Sequence, residues 1–169
     1  MGKYVNRRSK SYLNYSKGNY DNFHYLDFIA RTIHDIAWSR QKNNQKLINL
    51  DCVAVCVVND RDLWVASNNI SIEDCDIEQL DKIMCEDGLF LYENIYIVHN
   101  GNGHMHAEMQ LVQELINEGI ETKYIGVSKP CCKFCANELN EQKIKYSLWH
   151  DSRVKQWEAP KYKKPLQNQ

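Results

Sequence analysis

The sequence has no uninterrupted apolar run near the roughly 18–20 residues of a membrane helix, so no membrane partner is expected. Its first twenty residues, MGKYVNRRSKSYLNYSKGNY, lack an apolar core segment and do not read as a secretory signal. A cytoplasmic or otherwise intracellular site of action is expected on that ground. Gly2 follows Met1, but Asn6 and Arg7 stand where a myristoylation pattern asks for Ser or Thr. Charge of one sign is lacking too: 21 Lys and Arg against 22 Asp and Glu leave a net charge of -1. Global charge therefore does not announce a nucleic-acid binder, and any such binding must come from local basic patches. There is no internal repeat and no clear domain boundary. The 169 residues suit one compact domain with a real core.

An even cysteine set is missing as well. The seven cysteines are an odd count without a signal segment, which argues against a disulfide scaffold. Cys52 and Cys56 fall in an apolar, strand-like run and read as buried thiols. Cys75 and Cys85 fall on an expected helix without His or Cys partners at ligand spacing. Cys131, Cys132 and Cys135 are clustered, and in a reducing compartment a cluster points to metal binding or redox chemistry.

Residues 1–22 mix Lys and Arg with Tyr and show no helical period, so they read as a basic, irregular arm. Residues 23–169 read as a single domain with a basic tail from about residue 150. Asp21 or Asn22 can cap a helix from Phe23 to about Lys46, whose apolar residues Leu26, Ile29, Ile33 and Ala37 keep three-and-four spacing. LDCVAVCVVNDRDLWVASNN reads as a hairpin turning at NDRD. SIEDCDIEQLDKIMCED reads as a helix with Ser71 as cap, and LFLYENIYIVHN as one or two strands. A helix stopped by Gly119, a strand in ETKYIGVS, a helix in CKFCANELNEQK and a strand in IKYSLWH complete the order. Helices alternating with strands imply a sheet covered on both faces, and the late helices should connect parallel strands right-handedly.

The chemistry lies in two short motifs. In HAE, His106 and Glu108 stand two apart at a helix start. On a regular helix their side chains diverge by about 200°, yet in a first turn both can reach one cavity. Alone, the motif reads first as a solvated histidine and a glutamate that complements the helix dipole. In SKPCCKFC, residues 128–135, a Cys-x-x-Cys pair at a helix start puts both sulfurs on one face. The helix N-terminus favours the thiolates a metal needs. A thioredoxin-like redox pair is the alternative, but that fold needs no upstream histidine. His106 lies 26 residues before Cys132, one helix and one strand away. Successive parallel strands bring successive helix N-termini to one sheet edge, so the two motifs can converge. One His and two Cys leave a coordination position for water, the arrangement of catalytic rather than structural zinc. A His-x-Glu followed by Cys-x-x-Cys is the pattern of zinc deaminases, with the glutamate as proton carrier.

On these motifs, and on the element order from about residue 23 to 149, the chain resembles the cytidine deaminase-like superfamily. SKPCCKFC is most similar to the Ser-Lys-x-x-Cys-x-x-Cys form of bacterial polymorphic-toxin deaminase domains. It is less like the Pro-Cys-x-x-Cys of tRNA adenosine deaminases and APOBEC enzymes. Strict Pro-Cys-x-x-Cys is absent, because Pro130 precedes Cys131 and Cys131 stands four residues before Cys135. Either Cys131 or Cys132 could ligate, and the three-residue spacing favours Cys132.

The resemblance implies a three-layer α/β/α sandwich with a mixed, mostly parallel central sheet. It implies one Zn2+ on His106, Cys132 and Cys135, with Glu108 as the catalytic proton carrier. It implies substrate contacts from Asn68 or Asn69 to a sugar and from Trp149 with His150 to the base. Lys129, beside Ser128, is a candidate for a phosphate; His99 and His104 flank the site and read as loop or surface histidines, with His104 also a candidate pocket wall. Two Asn after a strand also make a turn, Trp149 also suits a core, and Lys129 also suits solvent. The expected reaction is hydrolytic conversion of cytosine to uracil in a polynucleotide, DNA before RNA. The basic, aromatic arm and tail would assist. The alternatives are deamination of free nucleosides or nucleotides, deamination of adenosine in RNA, and a non-catalytic zinc-stabilised binding module. The last has no use for Glu108. If the chain is a toxin domain delivered within a larger protein, an immunity protein is an expected partner.

Overall fold

The structure, a computed structural model, describes residues 16–19, 24–41, 52–86, 92–99, 105–152, 154 and 156–161. Its elements are β1 (Ser16–Lys17), α1 (Tyr25–Gln41), β2 (Cys52–Val58), β3 (Asp62–Asn68), α2 (Asp74–Glu86), β4 (Asn94–Ile97), α3 (Ala107–Glu118), β5 (Ile125–Val127), β6 (Cys131–Cys132), α4 (Lys133–Glu141) and β7 (Leu148–His150).

Helix α1 starts close to where the spacing predicts, but with a different cap. Leu26 N–H donates to His24 Nδ1, and His24 N–H donates to the Asp27 carboxylate, so the two side chains satisfy the helix start reciprocally. Asp21, Asn22 and residues 42–46 of the expected helix lie outside the described residues. Asp27 is buried and accepts two further bonds, from Tyr124 Oη at 2.7 Å and Val127 N–H at 2.9 Å, which tie α1 to β5. Gly126 lets the two approach: a Cβ there would run into the Leu26 backbone. Ser71 does not cap α2; its N–H meets Gln41, while the buried Asp76 accepts from Glu73 N–H and pairs bidentately with Arg40.

The hairpin turns where the sequence predicts, with Asn59 and Asp60 at φ 55° and 58°, a conformation these residue types tolerate. The central sheet has the order β4-β3-β2-β5. β3 and β4 pair in parallel, and β2 is antiparallel to both β3 and β5. Three of the four strands thus run one way and β2 alone runs against them. The short hairpin forces that reversal, while α2 and α3 supply the crossovers parallel strands require.

Alternating strand residues divide the core in two. Val53, Val55, Leu63 and Val65 pack with α1 and α2, whereas Ala54, Cys56, Trp64, Ala66 and Ile125 pack with α3 and α4. The result is a three-layer α/β/α arrangement. No helix among the described residues is long and apolar enough to cross a membrane.

A smaller sheet, β1-β7-β6, extends the same line. Tyr124 beside β5 forms a parallel bridge with Lys145, and farther along Cys131 and Cys132 pair in parallel with Trp149 and His150. Seven residues separate Tyr124 from Cys131, but only four separate Lys145 from Trp149. The surplus is taken up as a bulge at Ser128-Lys129-Pro130. The described end of the expected irregular arm is not irregular: Ser16 and Lys17 form an edge strand on β7. Asn19 holds it there, accepting from Tyr146 N–H and donating to the Ile144 carbonyl.

Candidate metal centre

His106 is the N-cap of α3, with extended backbone (φ -62°, ψ 154°) and no capping bond from its side chain. The ring is thereby left to point elsewhere. Its Nδ1 lies 3.5 Å from Cys132 Sγ and 3.5 Å from Cys135 Sγ. The start of α3 is anchored by Gln110, whose amide donates to the carbonyls of Ser67 on β3 and Met105. Cys132 is in turn the N-cap of α4, and its Sγ accepts from Cys135 N–H at 3.4 Å. Among the described residues, His106, Cys132 and Cys135 form a group whose ligand atoms all lie within 4.8 Å of one another, so it could hold a metal ion. Zinc–sulfur and zinc–nitrogen bonds in a tetrahedron set S···N edges of about 3.6 Å, and the two contacts from His106 match that edge. The donors also suit zinc, one imidazole with two thiols.

The electrostatics agree with this reading. The hydrogen bond with the Cys135 thiol pulls the Cys132 thiol down against the effect of burial, with His106 adding to the pull. Cys135, more deeply buried, moves up. The pair therefore holds one thiolate readily and shares the other proton. Burial acts to lower His106, but its hydrogen bond with Cys132 and the charge of Glu108 outweigh it and the ring is shifted up.

Glu108, in the first turn of α3, is 2% exposed. Its Oε2 has no hydrogen-bond partner among the described residues. The carboxyl group also meets the Cys131 thiol, which is itself fully buried. Burial pushes Glu108 upward, with the His106 charge opposing. Of the two adjacent thiols, then, Cys132 stands in the possible metal group and Cys131 stands against Glu108.

The other expected contacts divide. Asn68 closes β3 opposite Cys52, and its Oδ1 is buried without a partner among the described residues. Asn69 is exposed at φ 58°, a turn residue. Ser128 is fully buried, accepting from Val53 N–H and donating its own N–H to Val53 O, so it holds the bulge to β2. Lys129 is half-buried, close enough to Cys52 for its charge to act on that thiol. Trp149 is half-buried against the α3–α4 core. His150 on β7 feels the charges of Cys132 and His106, and burial lowers its pKa. His99 is exposed, and His104 lies outside the described residues.

Several contacts were not foreseen from the sequence. The Trp157 indole N–H donates to Cys135 Sγ at 3.2 Å. The His106 ring hydrogen-bonds the backbone of Gln156. Lys161 N–H donates to Gln113 Oε1 at 2.6 Å, and Gln113 Nε2 donates back to the Lys161 carbonyl at 3.0 Å. The described part of the expected basic tail thus packs across α3 and α4. Val154 and Trp157, partly buried against the core, and the buried Pro160 were the signal: apolar residues spaced through a charged stretch.

Residues 105–161 match the model of a family described as "OTT_1508_deam:-like deaminase". The matching segment is deaminase-like. It contains His106, Glu108, Cys132 and Cys135 and ends at Lys161, beyond the contacts of Gln156 and Trp157. No curated protein and no solved structure matches the chain.

Proposed function

We propose that the protein is a zinc-dependent hydrolytic deaminase that converts cytosine to uracil in a polynucleotide, DNA in the first place. The observation that carries this reading is Glu108: a buried carboxyl with one oxygen unpartnered among the described residues, beside an imidazole and two thiols that could hold a metal. A purely structural metal site has no use for such a group, and an unpaired buried carboxylate is costly to keep. Zn2+ at His106, Cys132 and Cys135 would lower the pKa of a bound water toward about 7.

The remaining chemistry belongs to the chain. Glu108 Oε2 takes a proton from water as the water's oxygen adds to C4. The proton passes to N3; Glu108 then takes the proton of the new C4 hydroxyl and hands it to the exocyclic nitrogen, which leaves as ammonia while the C4 oxygen remains as the carbonyl of uracil. Overall, water is consumed and ammonia released. The upward shift of Glu108 suits a group that must hold and surrender a proton near neutral pH. Asn68 Oδ1, buried at the end of β3 and unpartnered among the described residues, is proposed to accept from a sugar hydroxyl. Lys129 would face a phosphate and Trp149 with His150 the base. The polynucleotide rests on the similarity of SKPCCKFC to toxin-type deaminases.

The test is uracil formation in single- and double-stranded oligonucleotides by zinc-loaded protein and by Glu108→Gln. Cytidine, dCMP and adenosine are assayed in parallel for a gain of about 1 Da. Uracil in an oligonucleotide, lost in the variant, supports the proposal. A product only from a free nucleoside or from adenosine replaces the substrate, and no product from any of them sinks it.

A further inference from the structure

We infer that Trp157 is a positioning residue for the metal site, orienting Cys135 Sγ through a hydrogen bond from its indole N–H. The inference rests on reading His106, Cys132 and Cys135 as metal ligands.

The donor lies 3.2 Å from Cys135 Sγ, a sulfur whose residue is fully buried. A thiolate in such a place needs compensation, since a buried charge without donors is expensive. The Cys135 backbone N–H does not supply it, being given to Cys132 Sγ. The indole N–H, which can only donate, does. The next residue back, Gln156, contacts the His106 ring through its backbone. Two neighbouring residues thus hold two ligands carried by two different helices. The segment is fixed at its far end by the reciprocal Gln113–Lys161 bonds, and its Trp157 ring lies 5.4 Å from that of Phe134. Partners of this kind fix the rotamer of a ligand, draw electron density from it and typically change metal affinity ten- to a hundredfold, by roughly that order.

The decisive variant is Trp157→Phe, which keeps the ring and removes the donor. Zinc affinity is measured on metal-free protein by competition with a chelator. Co2+ then serves as a probe, because its thiolate charge-transfer band reports the electron density on sulfur. Trp157→Phe should bind zinc about tenfold more weakly and shift the cobalt band to lower energy, since a thiolate relieved of its hydrogen bond is easier to oxidise. Phe134→Leu, which removes the neighbouring ring but not the donor, should leave the band in place. Gln113→Ala, which opens the far anchor, should move affinity and band in the same direction as Trp157→Phe, and it carries the test if that variant does not fold. Wild-type affinity and an unmoved band in Trp157→Phe, or in Gln113→Ala where it stands in, overturn this inference while leaving the metal site intact. A wild-type protein that shows no thiolate band with Co2+ overturns the metal reading and this inference together.

Discussion

His106 and Cys132 hold the same station on two different helices: each is the N-cap, His106 of α3 and Cys132 of α4, and their side chains meet at 3.5 Å. An N-cap residue has extended backbone, so its side chain leaves the helix end rather than lying along its flank. Two such residues at one sheet edge face each other across the gap between helices. Cys135, one turn into α4, closes the triangle.

That geometry separates two neighbouring thiols. Cys132→Ser should lose zinc, whereas Cys131→Ser should keep one zinc per chain, because Cys131 faces Glu108 and not the group of His106, Cys132 and Cys135. Metal content by mass spectrometry of the native protein decides it. Zinc retained in Cys132→Ser and lost in Cys131→Ser would reverse the assignment.

Glu108→Gln should part activity from stability. Removing the proton carrier should lower the deamination rate by about 10²–10⁴-fold. Thermal stability of the metal-free variant should equal or exceed that of the wild type, because a buried carboxyl with an oxygen unpartnered among the described residues gives way to a neutral amide. A clear fall in melting temperature would mean that Glu108 serves the fold first.

Gly126→Ala should destabilise without touching the chemistry. Its Cβ would meet the Leu26 backbone, so α1 must move off β5, at a cost of about 1–3 kcal/mol. In a chain of this size each kcal/mol lowers the melting temperature by roughly 2–4 °C, readable by circular dichroism. An unchanged melting temperature would show that α1 can shift freely.

The cysteines outside the site should differ sharply toward an alkylating reagent. Cys75 and Cys85 are exposed and should react at pH 8 in the native protein. Cys52 and Cys56 are buried, and burial pushes both thiols up to about 12, so they should react only after denaturation. The sign for stability follows. A thiol that ionises near 9 when unfolded but near 12 when folded supports the fold fully below pH 9 and loses that support as the pH rises toward 12. Cys52→Ala with Cys56→Ala should flatten the alkaline side of the stability profile. Peptide mapping showing Cys56 modified in native protein at pH 8 would contradict this.

The sequence made the site legible wherever ligands sit close together along the chain. HAE and CKFC carry their spacing with them, and Gly119, at φ 64°, marks the end of α3 as plainly as any residue in the chain. Contacts made only by folding were not legible. Trp157 reaches Cys135 from 22 residues away, out of a stretch that reads in sequence only as a basic tail. The edge strand at Ser16–Lys17 is two residues long and surrounded by basic and aromatic residues, too short for alternation to announce it. The capping of α1 by His24 and Asp27 was hidden because His is a less familiar cap than the Asp and Asn just before it.

The bulge at residues 128–130 works as a frame-setter. Cys131 and Cys132 are chemically identical and adjacent, and only their phase against Trp149 and His150 tells them apart. On an extended strand, a slip of one residue turns every side chain to the opposite face. Inserting one residue into the bulge would therefore present Cys131 where Cys132 now stands and put Pro130 beside Glu108. The length of a three-residue connection, not the identity of either cysteine, decides which thiol joins His106 and Cys135 in the group that could hold a metal.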